Sequence, residues 1–100
     1  MQKRISYTEL SDKVERMIKK SRFIHSQGVA SVSASLCTRF SLDPDDGRYV
    51  GIYHDAYRYS CNEETPLFCR ENGIEVFPEE EEEPMLLHGA LASIHFPSDA

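Results

Sequence analysis

The sequence predicts an all-α chain, a bundle of about five helices, on three observations. Apolar residues recur three or four positions apart in separate stretches, which places them on one face of a helix. A capping residue followed by proline, a helix-start signal, occurs at Asp43-Pro44 and again at Thr65-Pro66. No run of alternating polarity is long enough for a strand, although "GIEVF" (Gly73 to Phe77) reads as briefly extended.

The first helix is expected from about Thr8 to Lys20, with Leu10, Val14, Met17 and Ile18 on its inward stripe. Ser6 and Glu9 have the spacing of a capping box, and Lys19 and Lys20 suit a carboxyl end. In "SRFIHSQGVASVSASLCTRF" the residues His25, Val29, Val32, Leu36 and Phe40 fall on one stripe of a second helix. Gly28, Ala30 and Ala34, lying between them, are small enough to let another helix approach. "LDPDDG" opens the third helix: Asp43 caps, Pro44 takes the first helical position, and Asp45 and Asp46 complement the dipole. Its inward residues would be Val50, Tyr53, His54 and Tyr57. Thr65-Pro66 starts a short fourth helix that Asn72-Gly73 stops. The glutamate run Glu79 to Glu83 reads as a solvated turn leading into a fifth helix, which carries Met85, Leu87, His88, Leu91 and Ile94.

One hundred residues, 40% hydrophobic and 28% charged, describe a single globular domain, here residues 1–100. The formal charge of -6 is concentrated: five of the 17 acids form the glutamate run, and without them 11 basic residues face 12 acidic ones, a balance of -1. Neither figure gives the basic footprint of a nucleic-acid binder. No stretch has the apolar length of a membrane span, and "MQKRISYTELSDK" lacks the apolar middle of a secretory signal, so the expectation is a cytoplasmic protein. Cys37, Cys61 and Cys69 are odd in number and form no C-x-x-C pair, which makes them packing residues before disulfide or zinc ligands.

"GIYHDAYR" (Gly51 to Arg58) sets His54 beside Asp55 at the end of an apolar helix face. Neighbours on a helix point about 100° apart, so one apolar groove cannot hide both. Either a salt bridge or surface exposure satisfies them, or both bind one metal ion. Three histidines, His25, His54 and His88, fall on the apolar sides of three different predicted helices. Imidazole and carboxylate suit zinc, iron or manganese, and a bundle core is where ligands from facing helices meet. His95, on an expected frayed end before Pro97, has no such placement.

"RFIHSQGVA", "GIYHDAYR" and "LLHGALA", in this order and at these separations, resemble the HD-domain metal-dependent phosphohydrolases. The likeness runs from about Thr8 to Ile94 and is nearest to the bacterial YqeK-type enzymes, which cleave diadenosine tetraphosphate symmetrically into two ADP. It implies an HD-domain helical bundle with His25, His54, Asp55 and His88 as metal ligands around a binuclear centre, commonly iron, with manganese and zinc as alternatives. Asp55 would bridge the ions and take part in catalysis. Arg58 stands where the family usually has lysine; it would contact phosphate during the reaction, and Arg22, one turn before His25, would face phosphate too.

The family pattern continues past Ala100, with a further histidine in an "HT.G"-like motif and a late aspartate. The expectation is therefore the amino-terminal half to two-thirds of the domain, lacking the last family helices. The centre would then be under-liganded, open to water and weak or inactive. The implied partner is a small nucleotide, neither nucleic acid nor membrane, and exposed apolar surface would favour a homodimer. Two other functions fit the residues: hydrolysis of another nucleotide or a cyclic nucleotide, and a non-catalytic helical interaction module that meets a basic partner through Glu79 to Glu83.

Overall fold

A computed structural model describes residues 4–99 of the chain. It contains α1 (Tyr7–Glu15), α2 (Lys20–Arg39), α3 (Pro44–Tyr53), α4 (Thr65–Glu71), α5 (Pro78–Glu82), a 3-10 turn (Pro84–Leu87) and α6 (His88–Asp99). Among the described residues there is no strand, and "GIEVF" is irregular. The all-α class stands, with one more helix than the spacing predicted.

The Ser6 hydroxyl accepts from the Glu9 amide at 3.1 Å and starts α1 as the capping spacing indicates. The helix stops at Glu15, short of the expected Lys20. The chain then turns, with the Met17 amide bonded to the Val14 carbonyl at 2.9 Å, and Lys19 becomes the residue before α2. The two lysines thus sit at a positive helix start, where the macrodipole disfavours them. Packing outweighs that cost: the turn keeps Ile18 in the core with Leu10 and Val14 and brings Phe23 in beside them.

In α2 the buried residues are Phe23, Ser26, Ala30 and Ala34. The expected stripe is corrected: Val32, Leu36 and Phe40 are exposed, and His25 is exposed as well. The reason is the neighbouring helix. A Cβ on Gly51 would lie 2.4 Å from the Ala30 Cα, and one on Gly47 would lie 2.6 Å from the Ser33 carbonyl oxygen. Two backbones approach this closely only where both present small residues, so the small face of α2 turns inward and its large residues turn out. As numbers rise along α3 they fall along α2, so the pair is antiparallel. Gly28, expected to serve this approach, faces open space.

The α3 start follows the expected chemistry, with the Asp43 carboxylate accepting from the Asp45 amide at 2.9 Å. Ile52, Tyr53 and Ala56 are buried with α1, α2 and Ala92 of α6, whereas Val50, expected inside, is exposed. The α4 stop is a Schellman turn. Gly73, at φ 81, lets the Ile74 amide reach the Cys69 carbonyl and its own amide reach that of Arg70, both at 3.0 Å. Its start differs, because Glu64 precedes the helix and the Thr65 hydroxyl instead accepts from the Asn62 amide at 2.9 Å.

The glutamates themselves form α5. The Glu80 carboxylate accepts from the Phe77 amide at 2.8 Å, and Glu81 pairs with Arg70 of α4. Leu87 and Leu91 are buried as expected, while Met85 is exposed. Helix α6 continues through Pro97 to Asp99, so His95 lies inside it, stacked on Tyr57 at 4.6 Å and on Phe68 at 5.6 Å between ring centroids. The Asp99 carboxylate accepts from the Tyr53 and Tyr57 hydroxyls, each at 2.5 Å, and ties the end of α6 to the end of α3. Burial first, then the Asp99 bond, raises the Tyr57 hydroxyl to about 12. The three cysteines are free; burial pushes the Cys61 and Cys69 thiols up, away from reactive thiolate. No helix among the described residues is long and apolar enough to cross a membrane.

Candidate metal centre

Helix α3 ends at Tyr53 and His54 is its cap, so Asp55 begins the turn that follows. Asp55 is 1% exposed. An ionised carboxylate at that depth needs partners. Arg22, from the first turn of α2, supplies two donors to one oxygen: Nε at 2.7 Å and Nη2 at 2.5 Å from Oδ2. The other oxygen, Oδ1, faces His88 Nε2 at 3.2 Å and His54 Nε2 and Arg58 Nη1, each at 3.8 Å. Burial alone would raise the Asp55 carboxyl. The Arg22 hydrogen bond and the charges of His54, Arg22 and Arg58 outweigh it and hold the carboxyl below its ordinary value of 3.8.

The tautomers of two histidines follow from their other ring nitrogens. His54 Nδ1 lies 2.6 Å from the Gly51 carbonyl, and His88 Nδ1 lies 2.8 Å from the Met85 carbonyl. A carbonyl only accepts, so each Nδ1 carries the hydrogen and donates. In its neutral form each ring then has the lone pair of Nε2 facing Oδ1; in its charged form Nε2 donates to that oxygen. Three acceptors facing one another repel unless a proton or a cation sits among them. A metal-binding histidine is oriented in this same way, by the hydrogen bond of its second nitrogen.

Of the four expected ligands, His54, Asp55 and His88 are brought together around Oδ1. His25 stands at the side, its ring 5.5 Å from the His54 ring between centroids, with no bond to Asp55. Among the described residues no group of three or more His, Cys, Asp or Glu is arranged closely enough to hold a metal ion. Two donors each about 2.1 Å from an ion lie about 3.0 Å apart at a right angle and about 3.4 Å apart at a tetrahedral one. The His88–Asp55 separation fits that edge and the His54–Asp55 separation is longer. Imidazole nitrogen and carboxylate oxygen are donor types that suit a divalent transition metal.

The side chains of His54, His88, Arg22 and Arg58 are between 24% and 31% exposed, so the centre opens to solvent. A groove of about 310 Å³ begins at His54 and runs between α3 and α6, lined by Val50, Tyr53, Ala92 and Phe96. Gly51 was missed as a site residue. It admits α2 to close range and its carbonyl fixes His54; its spacing of four from Gly47 was the available signal.

The chain has a structural relative among known proteins. It is similar to a solved structure, that of a predicted HD superfamily hydrolase involved in NAD metabolism from Clostridium acetobutylicum, at 26% identity and a TM-score of 0.77. The chain is folded like half of an HD-domain hydrolase. The match covers 93% of this chain and 49% of the other, so this chain spans about half the length of its structural relative. No family model matches the chain, and no curated protein does.

Proposed function

We propose that the chain is a metal-dependent HD-type phosphohydrolase acting on the phosphoanhydride of a dinucleotide. Diadenosine tetraphosphate, cut symmetrically into two ADP, is the favoured substrate. The observation that carries the reading is the facing of two Nδ1-protonated imidazoles, His54 and His88, onto one oxygen of a buried carboxylate. The HD-type fold of the Clostridium protein supports it. That protein is described by its connection to NAD metabolism; NAD and diadenosine tetraphosphate share a phosphate bridge between two nucleosides, which makes NAD the comparison substrate.

His54, Asp55 and His88 would hold the ion, with His25 completing the wall. A bound divalent ion supplies a water acidic enough to attack at neutral pH and neutralises charge on the phosphoryl oxygens. The chain's own residues do the rest. The Gly51 and Met85 carbonyls hold the two rings with Nε2 turned toward Oδ1, and Asp55 keeps its charge through its arginine partners. Arg58, whose nearest carboxylate oxygen is 3.8 Å away, keeps donors free to take phosphate oxygens in its planar fork.

Incubation of the protein with diadenosine tetraphosphate and Mn2+ or Fe2+ should give ADP as the nucleotide product, with the activity lost on chelation and in Asp55→Asn. ATP with AMP as products, or no turnover with either ion, contradicts the substrate assignment. Cleavage of NAD in place of the tetraphosphate moves the site to that dinucleotide.

A further inference from the structure

The resemblance implies an aspartate bridging two metal ions, and one of the two oxygens of the carboxylate found here is already taken, which blocks a bridge that uses both. Both donors that Arg22 directs at Asp55 fall on Oδ2, at 2.7 and 2.5 Å, and the imidazole nitrogens approach only Oδ1. We propose that Arg22 is the built-in counter-cation of Asp55, taking the place of a second metal ion, so that the centre holds one divalent ion on the Oδ1 side.

Charge supports this assignment. Arg22 and Arg58 against Asp55 already leave the cluster one positive charge in excess before any ion enters. One dication raises that excess to three, and two would raise it to five, in a site whose shared carboxylate is buried. Repulsion between unit charges at this range is strong enough to decide occupancy. Arg22 is also placed to act: it stands in the first turn of α2, its guanidinium is bonded through two nitrogens, and its side chain is 29% exposed. The geometry makes Arg22 a positioning residue for Asp55, where the motif alone suggested a phosphate contact.

The inference rests on the metal reading above, and its test separates the two. Mn2+ is titrated into the wild-type chain, Arg22→Gln and Arg22→Lys by electron paramagnetic resonance, which reads free against bound ion without any turnover. The wild type is expected to saturate at one ion per chain. Arg22→Gln, which frees Oδ2 and removes the competing charge, is expected to bind Mn2+ at least about tenfold more tightly, and Arg22→Lys, which keeps the charge, is expected to stay near the wild type. Two ions on the wild type, or no tightening in Arg22→Gln, overturns the inference while leaving the metal reading intact. No bound ion on any of the three removes both. Should Arg22→Gln fail to fold, the wild-type stoichiometry decides by itself.

Discussion

At the scale of residues, the centre depends on hydrogen bonds that the sequence does not display. His54, Asp55 and His88 were legible as candidates because a His-Asp pair at the end of an apolar helix face needs partners. The carbonyls that orient the imidazoles were not, since a backbone acceptor leaves no mark in a sequence. Arg22 was noticed for its spacing from His25, but its bond to Asp55 joins residues 33 apart and only folding reveals it. That bond makes two predictions. Replacing Arg22 by alanine leaves a buried carboxylate without its main partner. This should cost roughly 2–3 kcal/mol in denaturant unfolding, toward the low end for such pairs because Arg22 is partly solvated.

The second concerns acid. The Asp55 carboxyl titrates lower in the folded chain than its ordinary 3.8, so the unfolded chain binds the proton first. The pair therefore contributes its full stability above that value and loses it as pH falls through the depressed one. Melting temperatures followed downward from pH 6 should drop more steeply for the wild type than for Asp55→Asn; parallel curves would show that the pair does not couple to folding.

At the scale of elements, the helix starts and stops were the most readable features and the inward faces the least. Ser6, Asp43 and Gly73 act as their chemistry indicates. Periodicity located α2 but assigned the wrong face, because the rule that large apolar residues turn inward fails where two backbones meet through glycine and alanine. Val32, Leu36 and Phe40 turn outward for that reason. Two glycines give opposite predictions. Gly51→Ala forces a Cβ to 2.4 Å from the Ala30 Cα; it should destabilise the chain by about 3 kcal/mol or more and also displace the carbonyl that His54 holds. Gly28→Ala, in the middle of α2 with nothing within 4 Å, should stabilise by about 0.5–1 kcal/mol. Thermal unfolding of both variants checks the α2–α3 approach directly, and equal effects would refute it.

At the scale of the whole molecule, much apolar surface faces outward. Val32, Phe40, Leu42, Val50 and Leu67 are each at least 60% exposed, and the radius of gyration of 14.1 Å exceeds the roughly 13 Å typical of 100 residues. A chain built like half of a larger hydrolase fold has that character. Such surface favours association, so sedimentation should show mass rising with concentration. Within the glutamate run, Glu80 and Glu81 hold α5 and pair it with α4, while Glu79, Glu82 and Glu83 are exposed.

The measurement that bears most directly on the account is the transition-metal content of the purified protein, with Asp55→Asn and His88→Ala compared under the same preparation. Stoichiometric iron, manganese or zinc in the wild type, lost from both variants while their helical content is retained, is the predicted result. A metal-free wild type that stays so after incubation with each ion, or variants that keep as much metal as the wild type, would contradict it.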